Sequence, residues 1–173
     1  MRSLWFFLFL IFLFFSGCST KSVKQGHILL HPFKQEPLRD ENIYRLKHKD
    51  TITLALYKSY LKWHGTPYKY GGCSSCGVDC SALVQIIYAD AFGIKIPRTT
   101  KEQAKIGYFV KRSNLKGGDI LLFKTGRNSR HSGIYLEMGN FINASSKHGV
   151  TISNINNPYW KTRYWQGRRV LPF

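Results

Sequence analysis

Two kinds of hydrophobic spacing divide the chain. From Thr51 to about Ala91 apolar residues recur every three to four positions, whereas beyond Pro97 they come in short runs rich in β-formers and separated by Gly, Asn and Ser. Asp50 and Thr51 can cap a first helix in which Ile52, Ala55, Leu56, Tyr60 and Trp63 share a face, and Gly65 can end it. A Gly/Pro-rich loop, GTPYKYGG over 65–72, then leads to a second helix beginning at Cys80. Its apolar face is Leu83, Val84, Ile87, Tyr88 and Ala91, with Gly93 as the stop. The runs at 119–123, 132–136, 140–144 and 150–153 read as antiparallel strands. Helices followed by strands predict an α+β domain over 50–173, with the helices packed against one side of the sheet. That length suffices for one core, and the sequence contains neither an internal repeat nor a second domain.

The first fifty residues follow neither pattern. After Met1, Arg2 and Ser3 comes an unbroken apolar run over 4–15, shorter than the roughly 17 residues a spanning helix needs, so 1–17 reads as an export signal. Phe15, Ser16, Gly17 and Cys18 resemble a bacterial lipobox, in which the cysteine becomes the lipidated first residue; an ordinary signal with a chance cysteine is the other reading. Ser19, rather than aspartate, resembles the pattern of lipoproteins sent to the outer membrane. The polar stretch over 18–49, with two prolines, reads as a tether spanning roughly 30 Å. The expected location is therefore the periplasmic face of a Gram-negative outer membrane, with the domain held through a lipid on Cys18.

Charge and cysteine content then narrow the chemistry. The formal net charge is +17, from 26 Lys+Arg against 9 Asp+Glu, and loss of Arg2 with the signal leaves +16. Such an excess favours anionic partners. Nucleic acid is excluded by export and by the spread of the basic residues, which form no single basic helix; the peptide carboxylates of murein and anionic membrane surfaces fit better. Of four cysteines, one is the anchor. The others are Cys73, Cys76 and Cys80, an odd number for an oxidising compartment. A Cys73–Cys76 bridge would leave Cys80 free, or one of the pair could bridge to Cys80 and switch it off. A metal site is disfavoured because a second CxxC or paired histidine motif is missing, so no metal and no cofactor are expected.

Cys80 is the candidate nucleophile. It lies in DCSALVQ at the first turn of a helix, where unsatisfied N–H groups favour an anion and can lower a thiol pKa. A thiol needs a base and the base an orienting partner. His131 begins one predicted strand and Asn143 ends near the next, so the two can meet across a hairpin turning at Glu137, Met138 and Gly139. His148 could replace Asn143 if the register is shifted; His64 ends the first helix and carries less weight.

The segments GTPYKYGG, GVDCSALVQ, PRTTKEQAKIG, NLKGGDILLF, HSGIYLEMGNFINAS and GVTISNI, with the tail NPYWKTRYWQGRRVL, resemble in order and spacing the NlpC-type cell-wall cysteine peptidases, and most of all the lipid-anchored murein endopeptidases among them. The resemblance implies a papain-like α+β fold and hydrolysis of amide bonds in peptidoglycan stem peptides by a monomer. It implies Cys80 as nucleophile, His131 as general base and Asn143 as the third polar group, where such enzymes commonly have histidine. Tyr68 is then an oxyanion donor or a packed loop tyrosine, while Asp79 and Ser81 cap the helix, contact substrate, or both. Ala82 stands where many relatives have glycine, and its methyl is expected to narrow the cleft. The implied bond is the D-alanyl to diaminopimelate cross-link, with D-glutamyl to diaminopimelate cleavage or non-catalytic murein binding as alternatives.

Overall fold

The computed structural model describes residues 51–172. The chain runs through α1 (Thr51–Trp63), a small hairpin of β1 (Cys73–Ser74) and β2 (Gly77–Val78), α2 (Cys80–Phe92), a one-turn α3 (Thr100–Gln103) and β3 (Tyr108–Val110). A 3-10 turn (Arg112–Asn114) precedes β4 (Ile120–Lys124), β5 (Arg130–Tyr135), β6 (Asn140–Ser145), β7 (Gly149–Asn154), α4 (Pro158–Arg163) and β8 (Tyr164–Arg169). Six strands form one antiparallel sheet in the order β3-β8-β4-β5-β6-β7. The fold is α+β.

Strand alternation sorts this sheet into two faces. Ile120, Leu122, Ile134, Ile142, Ala144 and Val150 form one buried cluster with Leu56 of α1 and Leu83, Val84, Ile87 and Tyr88 of α2. Leu121, Phe123 and Phe141 point the other way and pack with Ile155, Trp160 and Tyr164. Helices therefore cover both faces. The expectation of helices on one side holds for α1 and α2 and is corrected by α4, whose Trp160 gives the second face its own core. That tail has too few consecutive apolar residues to announce a helix and a strand.

Two features fix the frame around the site. The β5–β6 hairpin closes through Met138 and Gly139, both at positive φ (53° and 85°), and the Asn140 N–H donates to the Glu137 carbonyl at 2.8 Å. Positive φ at both central residues matches the strand twist, and the resulting register pairs Ile134 with Ile142 and Tyr135 with Phe141. At the other end Arg169 of β8 grips buried Asp119 with two bonds of 2.7 Å, and the Tyr88 hydroxyl donates to the Gly118 carbonyl. These bonds tie β8 and α2 to the entry of β4.

Each predicted strand is present with its ends shifted by a residue or two. The strands β1, β2, β3 and β8 are additions. The export signal, the Cys18 anchor and the tether lie outside the described residues. Among the described residues no helix is long and apolar enough to cross a membrane.

Candidate functional site

Cys80 opens α2 because Asp79 caps it. The Asp79 carboxylate accepts from the Ala82 N–H at 2.8 Å, and its carbonyl accepts from the Leu83 N–H at 3.0 Å. The same carboxylate accepts from the Gly71 N–H, the Ser81 hydroxyl and both terminal nitrogens of Arg98, at 2.7–3.1 Å. Burial pushes the Asp79 pKa up, but the Arg98, Ala82 and Ser81 hydrogen bonds outweigh it and hold the acid below its usual range. It is a fixed anion. With its lone pairs used inside the chain, the geometry gives Asp79 and Ser81 the capping part of their expectation and leaves little of them for a substrate.

The loop before α2 is drawn tightly over this cap. Gly72 accepts the Asp79 N–H through its carbonyl, and a side chain there would meet the Gly77 carbonyl oxygen at 2.4 Å. Tyr68 bridges to Val78, two residues before Cys80. Its hydroxyl pKa is raised, first by burial and then by the nearby Cys80 and Asp79 charges. Among the described residues no acceptor takes the Cys80 N–H. The Ala82 side chain is fully buried in the core against α1 and the sheet, so the expected narrowing of the cleft is corrected: the methyl fills the interior.

A strap from α3 joins this helix to the sheet. Thr99 caps α3 in a reciprocal pair with Glu102, and Gln103 donates to the Ser81 and Pro97 carbonyls at 2.9 Å each. Thr100 Oγ1 then sits 3.9 Å from Cys80 Sγ and 3.5 Å from Ser132 Oγ, beside His131. Cys80 is thus tied to β5 through Ser132, while His131, the preceding residue, points to the other face of the strand. Tyr68, which stands beside the thiol and also lines the cleft with His131, is the group the two share.

His131 is the second residue of β5. Its ring stacks on Trp160 with centroids 5.0 Å apart and planes at 28°, and it also meets Phe123 at 6.2 Å. One edge remains on a cleft of about 690 Å³ that Tyr68 also lines. Burial pulls its pKa from 6.5 to about 4, and the Asn143 side chain partly offsets this. The imidazole is neutral at pH 7. Asn143 lies one strand over, fully buried, and its Nδ2 donates to the Thr151 carbonyl at 3.4 Å and to Ser153 Oγ at 2.9 Å. Both donors being engaged, the amide oxygen is the atom left for His131. That contact raises the imidazole pKa yet falls short of a formed hydrogen bond, since His131 Nε2 and Asn143 Oδ1 are each buried without a partner.

Of the remaining sequence candidates, His148 lines the cleft from the β6–β7 turn, and its N–H is held by Ser145 Oγ at 3.3 Å. The register is unshifted: Asn143 pairs with Thr151 and stands by the imidazole, so His148 does not replace it. Cys73 and Cys76 are exposed free thiols on the β1–β2 hairpin, and Cys80 is also free, so none of the expected bridges is formed.

The NlpC/P60 family model matches residues 65–169. The chain belongs to the NlpC/P60 family. It is 47% identical over 112 residues to murein DD-endopeptidase MepS/murein LD-carboxypeptidase of Escherichia coli K12, covering 65% of this chain and 60% of that protein. It is 43% identical over 128 residues to the probable endopeptidase NlpC of the same strain, covering 73% and 83%. The crystal structure of an NlpC/P60 family protein from Bacillus cereus superposes with a TM-score of 0.63 at 32% identity, covering 69% of this chain and 40% of that one. The chain thus spans about 60% of the length of the MepS relative.

Within this NlpC/P60 domain three contributors escaped the sequence reading. Arg98 and Thr100 sit in the PRTT segment, and Trp160 in the aromatic tail. The proline before Arg98, which keeps that segment extended beside α2, is the one local signal for the first two.

Proposed function

We propose that the chain is a cysteine peptidase that hydrolyses amide bonds in peptidoglycan stem peptides. One observation carries the reading: Tyr68 stands beside a thiol at a capped helix N-terminus and also lines the cleft of a neutral imidazole, which lies close to the side chain of a fixed amide. With both donors of Asn143 engaged, a bond from Nε2–H to the amide oxygen in the working enzyme would select the tautomer whose Nδ1 lone pair is free to take the thiol proton. Cys80 Sγ gives that proton to His131 and attacks the scissile carbonyl. The developing oxyanion is met by the unengaged Cys80 N–H and by the Tyr68 hydroxyl, whose loss costs about 10²–10³ in rate for donors of this kind. His131 then returns the proton to the leaving amine, and water attacks the thioester with the same imidazole as base.

The substrate is supported by the relatives' names and by the cleft, whose lining includes Arg130, Lys147 and several hydroxyls. The DD-endopeptidase name of the 47% identical relative favours the D-alanyl to diaminopimelate cross-link. The lipobox-like sequence ending at Cys18 supports attachment to the outer membrane on its periplasmic side. Incubation of the full chain with purified sacculi, followed by mass analysis of released muropeptides, tests activity and bond together. New amine and carboxylate ends across the cross-link are the expected result, and intact sacculi would refute the reading.

A further inference from the structure

Among the basic side chains elsewhere in the domain some donate to backbone carbonyls, as Arg163 and Arg168 do, and three meet acids: Arg98 with Asp79, Arg169 with Asp119, and Lys62 with Asp90. Those on the cleft meet none. Among the residues lining it there is no aspartate or glutamate, while Arg130 stands at the start of β5 and Lys147 and His148 occupy the β6–β7 turn. Arg130 is oriented by neutral groups, its Nη1 donating to the carbonyls of Ser129 at 2.9 Å, Gly126 at 3.2 Å and Arg127 at 3.5 Å. Its guanidinium also lies 5.9 Å from the Trp165 ring, with Lys124, its cross-strand partner, on the same ring at 5.2 Å. Carbonyl dipoles hold a guanidinium in place without neutralising it. The Lys147 and His148 amides both donate to Ser145 Oγ, which fixes the turn that carries the second cation and an imidazole. An uncompensated positive field focused in a cleft attracts anions, and the planar fork of Arg suits a carboxylate.

We propose that this rim, Arg130 with Lys147 and His148, is a subsite for a free carboxylate on the peptide, so that the domain discriminates stem peptides with free carboxylates from the same stems carrying carboxamides. This rests on the stem-peptide reading above and adds a specificity to it. An amide keeps the size of the group and removes its charge, leaving the rim cations without a counter-ion in the complex. Selection then depends on a modification of the substrate rather than on its sequence.

The test uses two synthetic stem peptides identical except for free carboxylates in one and carboxamides in the other. Binding is measured with the full chain carrying Cys80→Ala, and turnover with the unaltered chain. The acid should bind about tenfold tighter than the amide, as expected for a charge-assisted pair. Lys147→Gln should reduce that advantage by about twofold to fourfold, Arg130→Gln with Lys147→Gln should abolish it, and Arg130→Lys should keep part of it. Lys147 is exposed, so its variants test the proposal even where a change at Arg130 disturbs the fold. Equal binding of acid and amide, or no binding of either, overturns the subsite whatever the turnover. Preferential acid binding without turnover of either peptide upholds it and removes the hydrolase reading, whereas equal binding with equal turnover does the reverse.

Discussion

Around Asp79 every strong acceptor is used, whereas around His131 two buried polar atoms have no partner. On the helix side Arg98 neutralises the acid, the acid caps α2, and Gln103 Nε2 of α3 clamps the Ser81 carbonyl. The carboxylate itself is saturated, although Gln103 Oε1 stays buried without a partner. The sheet side is held by ring stacking and by one amide, with His131 Nε2 and Asn143 Oδ1 still open. A saturated carboxylate fixes a position, and an unsaturated buried pair keeps a strong hydrogen bond in reserve. A nucleophile must be presented in one geometry, while its base must gain and lose a proton. The difference between the two halves follows that division of labour.

The sharpest way to break the comparison is to remove the atom it serves. Cys80→Ala should lower muropeptide release by at least about 10³, with an unchanged circular dichroism spectrum, because only a thiol is lost and the Asp79 network keeps the helix start. Next in size is the Asp79 network itself. Arg98→Leu leaves the buried Asp79 carboxylate without its counter-ion, and the expected cost is about 1–3 kcal/mol in a thermal or urea melt. The value sits at that level because the Arg98 side chain is 37% exposed and water screens part of the pair. Activity should fall with stability, since the cap and the Cys80 position move together. A melt unchanged within about 0.5 kcal/mol would show that the network is ornamental to the fold.

Much of the helix side was legible because its signals are local. Asp79 before Cys80, the apolar spacing through Tyr88 and the Gly93 stop lie within one segment, and the hairpin turn at Met138 and Gly139 sets the His131 to Asn143 relation by counting. The missing parts are long-range. Arg98 reaches Asp79 across nineteen positions, and nothing local marks one arginine among the 26 basic residues as the partner of that acid. Trp160 meets His131 only after α4 folds onto the second face of the sheet. The strand β8 escaped because YWQGRR mixes glycine with charged residues, and its identity comes from pairing with β3 and β4. Periodicity reports which face is buried, whereas a site is assembled from residues that periodicity treats as interruptions.

On the sheet side, Asn143 is the direct probe. Asn143→Ala leaves His131 Nε2 buried with no acceptor at all, and activity should drop about 10–10² because the tautomer that frees Nδ1 is no longer selected. Asn143→Asp supplies a stronger acceptor bearing charge, which should raise the imidazole pKa and move the acid limb of the rate profile to higher pH. Equal activity of all three forms would mean that the amide has no part in orienting the base.

The smallest effect concerns the ring beneath the imidazole, and here the sign decides the outcome. Desolvation holds His131 near 4 against 6.5 in the unfolded chain, so between those values the unfolded state takes up a proton that the native state refuses. Stability should therefore fall as pH drops from 6.5 toward 4, while the base stays neutral and active through the same window. Trp160→Ala opens one face of the ring to water, and the His131 pKa should climb toward 6.5. Followed through the imidazole carbon resonance in a pH titration, the variant should protonate at higher pH than the parent and lose activity earlier on acidification, with the rate near pH 8 reduced only by the looser ring. Coincident titration curves would place the cause of the low pKa in the strand and the Phe123 contact instead, and would leave the stacked tryptophan with packing as its sole contribution to the sheet side of the site.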